Sequence, residues 1–482
     1  MQTPPFQIPP CLVLSLVLLS FTSCTTLPED SREDAVSYVS IVEQQLGLFK
    51  DPALEKQLQR LGYRLAGESG LPRERFSFYI LDQEIPNAFA APDGSIYVSR
   101  GLLALTDSED ALAAILAHEI SHIVLRHHLK QTRRKILPNL LRLPGVAIGS
   151  VVDERVGSMV NAPINRLGEI YLASHSRAEE SEADSLGIRL AARSGYRPEA
   201  MATILGQMEA SMDLLFGNRD NPSFFDSHPA TPGRIDEILK LASEIEVPAS
   251  VEPPLFASAE LYRRSLEGLC FGPNPALGIQ HGKRFIHPEL GFALNLPPGW
   301  KLLRTTSVVG ATAPDEHSGF FFGLAQYGYD VSAVGQKMKD LFYEEFRITP
   351  LDEEFVLLPS GSRFSTVYRD HSGEKPVFVY FTWVELDGSI FQFVGFSKNP
   401  PPGELVSVIE SIAIPKPETL KDLTVLNLRL VRAQSGESIP QLNQRTGNQW
   451  SVPFTAIANN LPADTRFQGG EIVKIVRTEP YR

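Results

Sequence analysis

His118-Glu119-Ile120-Ser121-His122 is the stretch on which the reading of this chain turns. It lies in a segment, 109–130, that no Gly or Pro interrupts, and residues 111–117 (ALAAILA) are mostly strong helix formers. The pattern predicts a helix over 109–130. Thr106, Asp107 and Ser108 are available as N-caps, without a full capping box. Helical positions four apart share a face, so His118 and His122 can both reach one metal ion at about 2.0–2.1 Å. Glu119 cannot easily join them, yet it sits close enough to take a proton from a water on that ion. Zinc lowers the pKa of such a water from 15.7 to about 7, within reach of a carboxylate acting first as base and then as acid. The plain alternative is a helix with two ordinary histidines. The chain has ten His, so the pentapeptide alone is only suggestive.

A catalytic zinc needs a third protein ligand and an open position. Residues 176–184 (SRAEESEAD) set several carboxylates on a second predicted helix, 178–194, which Gly195 ends. Glu180 and Asp184 are four apart. One can bind metal while the other orients a ligand histidine. Spacing alone leaves Glu179, Glu180 and Glu182 open as the ligand, and a solvated acidic face is the ordinary reading of such a segment.

HExxH followed by Ser-Arg-x-x-Glu-x-Glu-Ala-Asp resembles the CAAX-prenyl-protease and HtpX family of gluzincin zinc metalloproteases. It is most similar to the periplasmic, β-barrel assembly-enhancing protease-like branch. Other pieces agree: Asn87-Ala88-Phe89, the run 94–98 (GSIYV), Gly101-Leu102-Leu103, His127 or His128 after the HExxH helix, and a later His228-Pro229 loop with Arg234 and Ile235. The likeness covers residues 82–241. It implies one Zn2+ per chain held by His118, His122 and Glu180, with Glu119 catalytic and Asp184 a supporting carboxylate. It also implies protein or peptide substrates and a role in envelope protein quality control, near the outer-membrane assembly machinery. His228 has two readings, a fourth zinc ligand that holds the enzyme latent or a donor to the transition-state oxyanion. A loop histidine that fixes its turn is the alternative.

The chain has 482 residues, enough for roughly three domains. Its net charge of -12 argues against nucleic acid as a partner. Residues 12–21 (LVLSLVLLSF), then Thr22, Ser23 and Cys24, read as a lipoprotein-type signal peptide over 1–23, with Cys24 as the lipid site. That predicts an exported, periplasmic protein held at the envelope membrane by a lipid anchor. With Cys24 lipidated, Cys270 is left as a buried apolar thiol; without the lipid, a Cys24–Cys270 bridge is the alternative in an oxidising compartment. The apolar stretch 136–152 carries Pro138, Arg142, Pro144 and Gly145, which argue against a membrane span; burial inside the domain is expected, with a segment lying on a membrane surface or acting as a lid as the alternative.

The expected class is α+β. A mainly helical zincin-type protease domain with a small sheet covers 30–247, and an α/β accessory domain with an antiparallel sheet covers 255–415. A small module over 425–482 resembles LysM, with peptidoglycan as the partner that likeness implies. Two other functions compete with the protease: an envelope chaperone or scaffold with latent activity, and a peptidoglycan-binding protein.

Overall fold

The computed structural model describes residues 38–127, 175–216, 224–228, 233–248, 253–304, 308–315, 317–327, 330–346, 349–358, 361–370, 377–398 and 403–481. The expected signal peptide, Cys24 and the stretch 136–152 lie outside the described residues. The chain divides into two compact units. One is formed by Ser37–Leu137, Leu167–Asn274 and Thr424–Arg482; the other contains Pro275–Leu423.

The discontinuous unit starts with helices α1 (Tyr38–Leu46) and α2 (Pro52–Gly67). Asp51 caps α2 by accepting from the amides of Ala53 and Leu54, and Pro52 sits in its first turn. Leu54, Leu58, Leu61 and Leu65 recur every three or four residues and are buried. A small sheet follows: β1 (Ser77–Leu81), β2 (Ala88–Ala90) and β3 (Ser95–Ser99), in the order β1-β3-β2. β1 runs parallel to β3 and β2 antiparallel to it. β3 passes straight into α3 (Arg100–Leu105), whose first turn is capped by the Ser99 hydroxyl.

Helix α4 (Glu109–Val124) carries the HExxH residues and is capped by Ser108. Every residue from Ala111 to Ile123 is buried, so this is a core helix packed on all sides. It ends at Val124, short of the expected Lys130. Leu125 closes a last turn onto Ser121, and Arg126 adopts φ 55, a left-handed conformation that no helix continues. Helix α5 (Arg177–Arg193) opens with a capping box between Ser176 and Glu179. It crosses α4 at Gly187, where an added Cβ would stand 3.1 Å from both Cα and N of His118. A side chain there would force the neighbouring backbone to give by a few tenths of an ångström. Helices α6 (Ala200–Phe216), α7 (Phe224–Ser227), α8 (Arg234–Ser243) and α9 (Ala259–Ser265) complete this part. Strand β4 (Cys270–Phe271) follows, and Cys270 is a buried free thiol.

The second unit is built largely of strands. β5 (Ile279–His281), β6 (Arg284–His287) and β7 (Phe292–Asn295) form a three-stranded meander. The main sheet contains β8 (Lys301–Arg304), β9 (Val308–Thr312), β10 (Ser318–Tyr327), β11 (Asp352–Leu358), β12 (Gly361–Asp370), β13 (Val377–Leu386) and β14 (Ser389–Ser397). Its order is β11-β12-β13-β14-β10-β9-β8, antiparallel throughout, as the alternating aromatic pattern predicts. Asp387 and Gly388 turn β13 into β14 with φ of 48 and 76, the pair of positive angles that a two-residue hairpin requires. Phe320 stacks on Phe393 and Phe322 on Phe391 in its core. Helices α10 (Val331–Phe346), α11 (Gly403–Glu410) and α12 (Pro417–Lys421) belong to this unit. His281 is exposed. His287 is buried and accepts from the Leu290 amide, and burial pushes its pKa down to about 4.

The C-terminal segment is strand–helix–helix–strand: β15 (Thr424–Arg432), α13 (Ile439–Thr446), α14 (Val452–Ala458) and β16 (Ile472–Pro480). It folds as part of the discontinuous unit. β15 pairs with β16 on one side and β4 on the other. Leu428, Trp450, Phe454 and Val476 enter the same core as α2 and α4. Lys474 is fully buried, and its Nζ donates to the carbonyls of Ala104 (2.9 Å), Leu105 (3.1 Å) and Thr106 (2.6 Å). These carbonyls close α3, just before the cap of α4. Lys474→Met leaves them without that donor, and thermal or urea unfolding should show a loss of about 1–3 kcal/mol. For His287 the sign runs with pH. Its folded pKa of about 4 lies below the ordinary 6.5, so its contribution to stability is full above 6.5 and lost as pH falls toward 4. Melting curves at pH 7 and pH 5 should show a smaller acid-induced loss in His287→Asn than in wild type.

Candidate metal centre

Three segments bring the sequence-selected residues together. α4 projects His118 and His122 from adjacent turns, α5 supplies Glu180 and Asp184, and His228 follows α7. All five are buried. One donor atom each from His118, His122, Glu180 and His228 lies within 4.8 Å of the other three. His118 Nε2 is 3.0 Å from His122 Nε2 and 3.2 Å from His228 Nδ1. Glu180 Oε1 is 3.1 Å from His228 Nδ1 and 3.4 Å from His122 Nε2. Four ligands on a tetrahedron with metal bonds of 2.0–2.1 Å would be separated by about 3.3–3.4 Å. The donor spacing is therefore that of one small cation.

The three glutamates that spacing left open have different places. Glu179 is used up in the capping box, its Oε2 accepting from the Ser176 amide at 2.8 Å. Glu180 joins the cluster. Glu182 turns to the surface and meets His127 Nε2 at 3.2 Å. Behind the cluster, Asp184 Oδ1 lies 2.9 Å from His118 Nδ1. Arg234, at the start of α8, braces both α5 carboxylates. It donates to Asp184 from Nε (2.8 Å) and Nη2 (2.9 Å), and Nη2 is 2.9 Å from Glu180 Oε2. Phe224 stacks on His228 with ring centroids 4.3 Å apart. His175 stacks on His122 at 3.9 Å, and His122, His127 and His175 form a second close histidine group.

Burial and partners set the charges. Burial disfavours charge on His118, but hydrogen bonding to Asp184 and Glu180 outweighs it and lifts the pKa to about 10. Burial and the neighbouring histidines hold His122 well below its ordinary value, in the neutral form that a ligand needs. Burial opposes ionisation of Glu180, yet His228 and His118 pull its pKa well down. Asp184 is likewise lowered, by His118 and Arg234 against burial. Glu119 goes the other way: burial raises its pKa. Both its carboxylate oxygens are buried without a hydrogen-bond partner among the described residues, and Oε1 lies 3.5 Å from His228 Nε2. Buried polar atoms are normally satisfied, so orphaned oxygens mark a place made for something else.

These observations test whether the residues fit a metal. Three buried carboxylates face one permanent cation, Arg234, so a divalent ion balances the site. Imidazole nitrogens with one carboxylate oxygen form a donor set that suits zinc. Sequence reasoning gave no role to Arg234, His127, His175 or Gly187. Arg234 stood in the His-Pro loop pattern, and nothing in the spacing linked it to Asp184.

Against this geometry, residues 52–242 match peptidase family M48. The chain is similar to the Beta-barrel assembly-enhancing protease of Yersinia pestis, 27% identical over 229 residues that cover 46% of each protein. The protein of the same name from Escherichia coli K12 is 29% identical over 243 residues, covering 46% of this chain and 48% of the relative. Metalloprotease LoiP of Escherichia coli K12 is 32% identical over 154 residues, covering 32% of this chain and 57% of LoiP. The chain spans about half the length of the curated relatives it matches. Match and cluster fall on the same helices, so the residues that carry the likeness to peptidase family M48 are those that bring the donors together.

Proposed function

We propose that this chain is a zinc-dependent endopeptidase of the bacterial cell envelope, hydrolysing peptide bonds of misfolded or misassembled envelope proteins. The observation that carries the reading is the position of Glu119. It is a buried carboxylate with both oxygens unpartnered among the described residues, beside four convergent donors. His118, His122 and Glu180 would hold the ion, and Asp184 would orient His118 through Nδ1. Zinc, when bound, lowers the pKa of a water and polarises a peptide carbonyl. Glu119 takes the water's proton at a carboxylate oxygen and delivers it to the leaving amine. The burial that raises its pKa makes it a better proton acceptor. We further propose that an extended substrate segment runs alongside residues 87–90, where β2 pairs with β3.

Export, the lipid anchor at Cys24 and the envelope setting rest on the N-terminal sequence pattern and on relatives named for β-barrel assembly. Among the described residues no helix is long and apolar enough to cross a membrane. The peptidoglycan reading rests on the likeness of 425–482 to LysM.

A second reading of the same site, latency, is favoured by one specific observation. His228 Nδ1 stands 3.2 Å from His118 Nε2 and 3.1 Å from Glu180 Oε1, the place of a fourth ligand. A fourth protein ligand fills the position that catalysis needs open.

Metal content and casein cleavage of wild type and Glu119→Gln, measured side by side, test the central reading. Zinc in both with cleavage only by wild type is expected, and absence of zinc from wild type overturns it. Asp184→Asn should weaken zinc binding by about 10- to 100-fold in chelator competition. His228→Ala should raise casein cleavage if His228 closes the site and lower it if His228 serves the oxyanion. Unchanged cleavage together with unchanged zinc affinity removes both roles.

A further inference from the structure

The second histidine group has an order that points back to the metal centre. His127 is fully buried between a ligand and the surface. Its Nδ1 lies 2.9 Å from His122 Nδ1, and its Nε2 lies 3.2 Å from Glu182 Oε2. The Glu182 side chain is 53% exposed, so this row runs from the buried site to solvent.

The chemistry of the outer end sets the direction of every bond in the row. An ionised carboxylate only accepts, so Nε2 of His127 carries the hydrogen. A neutral His127 then presents a bare lone pair at Nδ1. The facing Nδ1 of His122 must donate to it, which leaves the lone pair of His122 on Nε2, the nitrogen 3.0 Å from His118 Nε2 in the cluster. We propose that His127 and Glu182 are positioning residues that fix the tautomer and ring orientation of His122 for metal binding. His118 has a carboxylate directly behind it, Asp184 at 2.9 Å. His122 reaches its carboxylate through an intervening imidazole.

The backbone supports this assignment independently. α4 stops at Val124, and Arg126 takes φ 55, a left-handed conformation that non-glycine residues rarely adopt. Beyond that turn His127 Nδ1 comes within 2.9 Å of His122 Nδ1. A helix continued to residue 130 would carry position 127 onward along its axis.

The proposal rests on the zinc reading above, and its test separates the two. Zinc alone is the probe. Its affinity, by competition with a chromophoric chelator, and its release rate are measured for the full chain and four variants. His127→Leu and Glu182→Ala remove the row. His127→Gln and Glu182→Gln each keep an oxygen that can accept. The expected result is a loss of affinity of about 10- to 100-fold with faster release in His127→Leu, a smaller loss in Glu182→Ala, and recovery in both Gln variants. In 15N-labelled protein, His122 Nδ1 should appear protonated in wild type, and that proton should exchange faster in His127→Leu. Because Glu182 is half exposed, Glu182→Ala keeps the test decisive should His127→Leu fail to fold. Wild type that holds zinc while His127→Leu and Glu182→Ala bind it as tightly and release it as slowly overturns the positioning role alone. So does protonation of His122 at Nε2. Wild type that binds no zinc overturns the zinc reading, and this proposal with it.

Discussion

The approach of α5 to α4 at Gly187 is the contact on which the rest of the site depends. With no side chain there, α5 can lie against the backbone of His118, and Glu180 and Asp184 then face the two histidines across the gap. A methyl group would push the helices apart by a few tenths of an ångström or more. That shift is comparable to the tolerance of a metal–ligand bond, about 0.2 Å. The helix pair acts as a fixed jaw, and each remaining part holds it shut or charges it. Arg234 ties the acidic side together, and Ser108 and Ser176 start the two helices at defined registers.

Electrostatics reinforces this geometry. Burying three carboxylates near one another is costly unless cations meet them. Arg234 answers part of the charge and Asp184 lies against His118 Nδ1, but Glu119 is left with nothing to accept from among the described residues. A site so arranged is poised for a cation and a water, and it is less comfortable as a plain core.

Much of this was legible in the sequence because it is local. His118 and His122 are one helical turn apart, Glu180 and Asp184 are one turn apart, and capping residues precede both helices. A fold cannot easily scatter such pairs. The aromatic alternation of residues 320–396 likewise announced an antiparallel sheet. What could not be read were relations across long separations. Glu179, Glu180 and Glu182 are equivalent by spacing, and only the capping box, the cluster and His127 tell them apart. The end of α4 is hidden from the sequence because residues 125–130 carry no helix breaker; Arg126 stops the helix through backbone conformation. Residues 425–482 have the texture of a separate module, yet Lys474 is buried in the unit that bears the metal centre.

That last feature has a consequence in time. The Nζ of Lys474 meets a carbonyl 370 residues earlier in the chain, with the whole of Pro275–Leu423 made in between. Contacts of such separation close late, because the loop they span must be ordered first. β16 therefore acts as the closing stitch of the unit that bears the clustered histidines. A ribosome would release the interposed unit before the discontinuous one could be finished, so the helices that carry the histidine cluster are closed in only when this late strand has arrived.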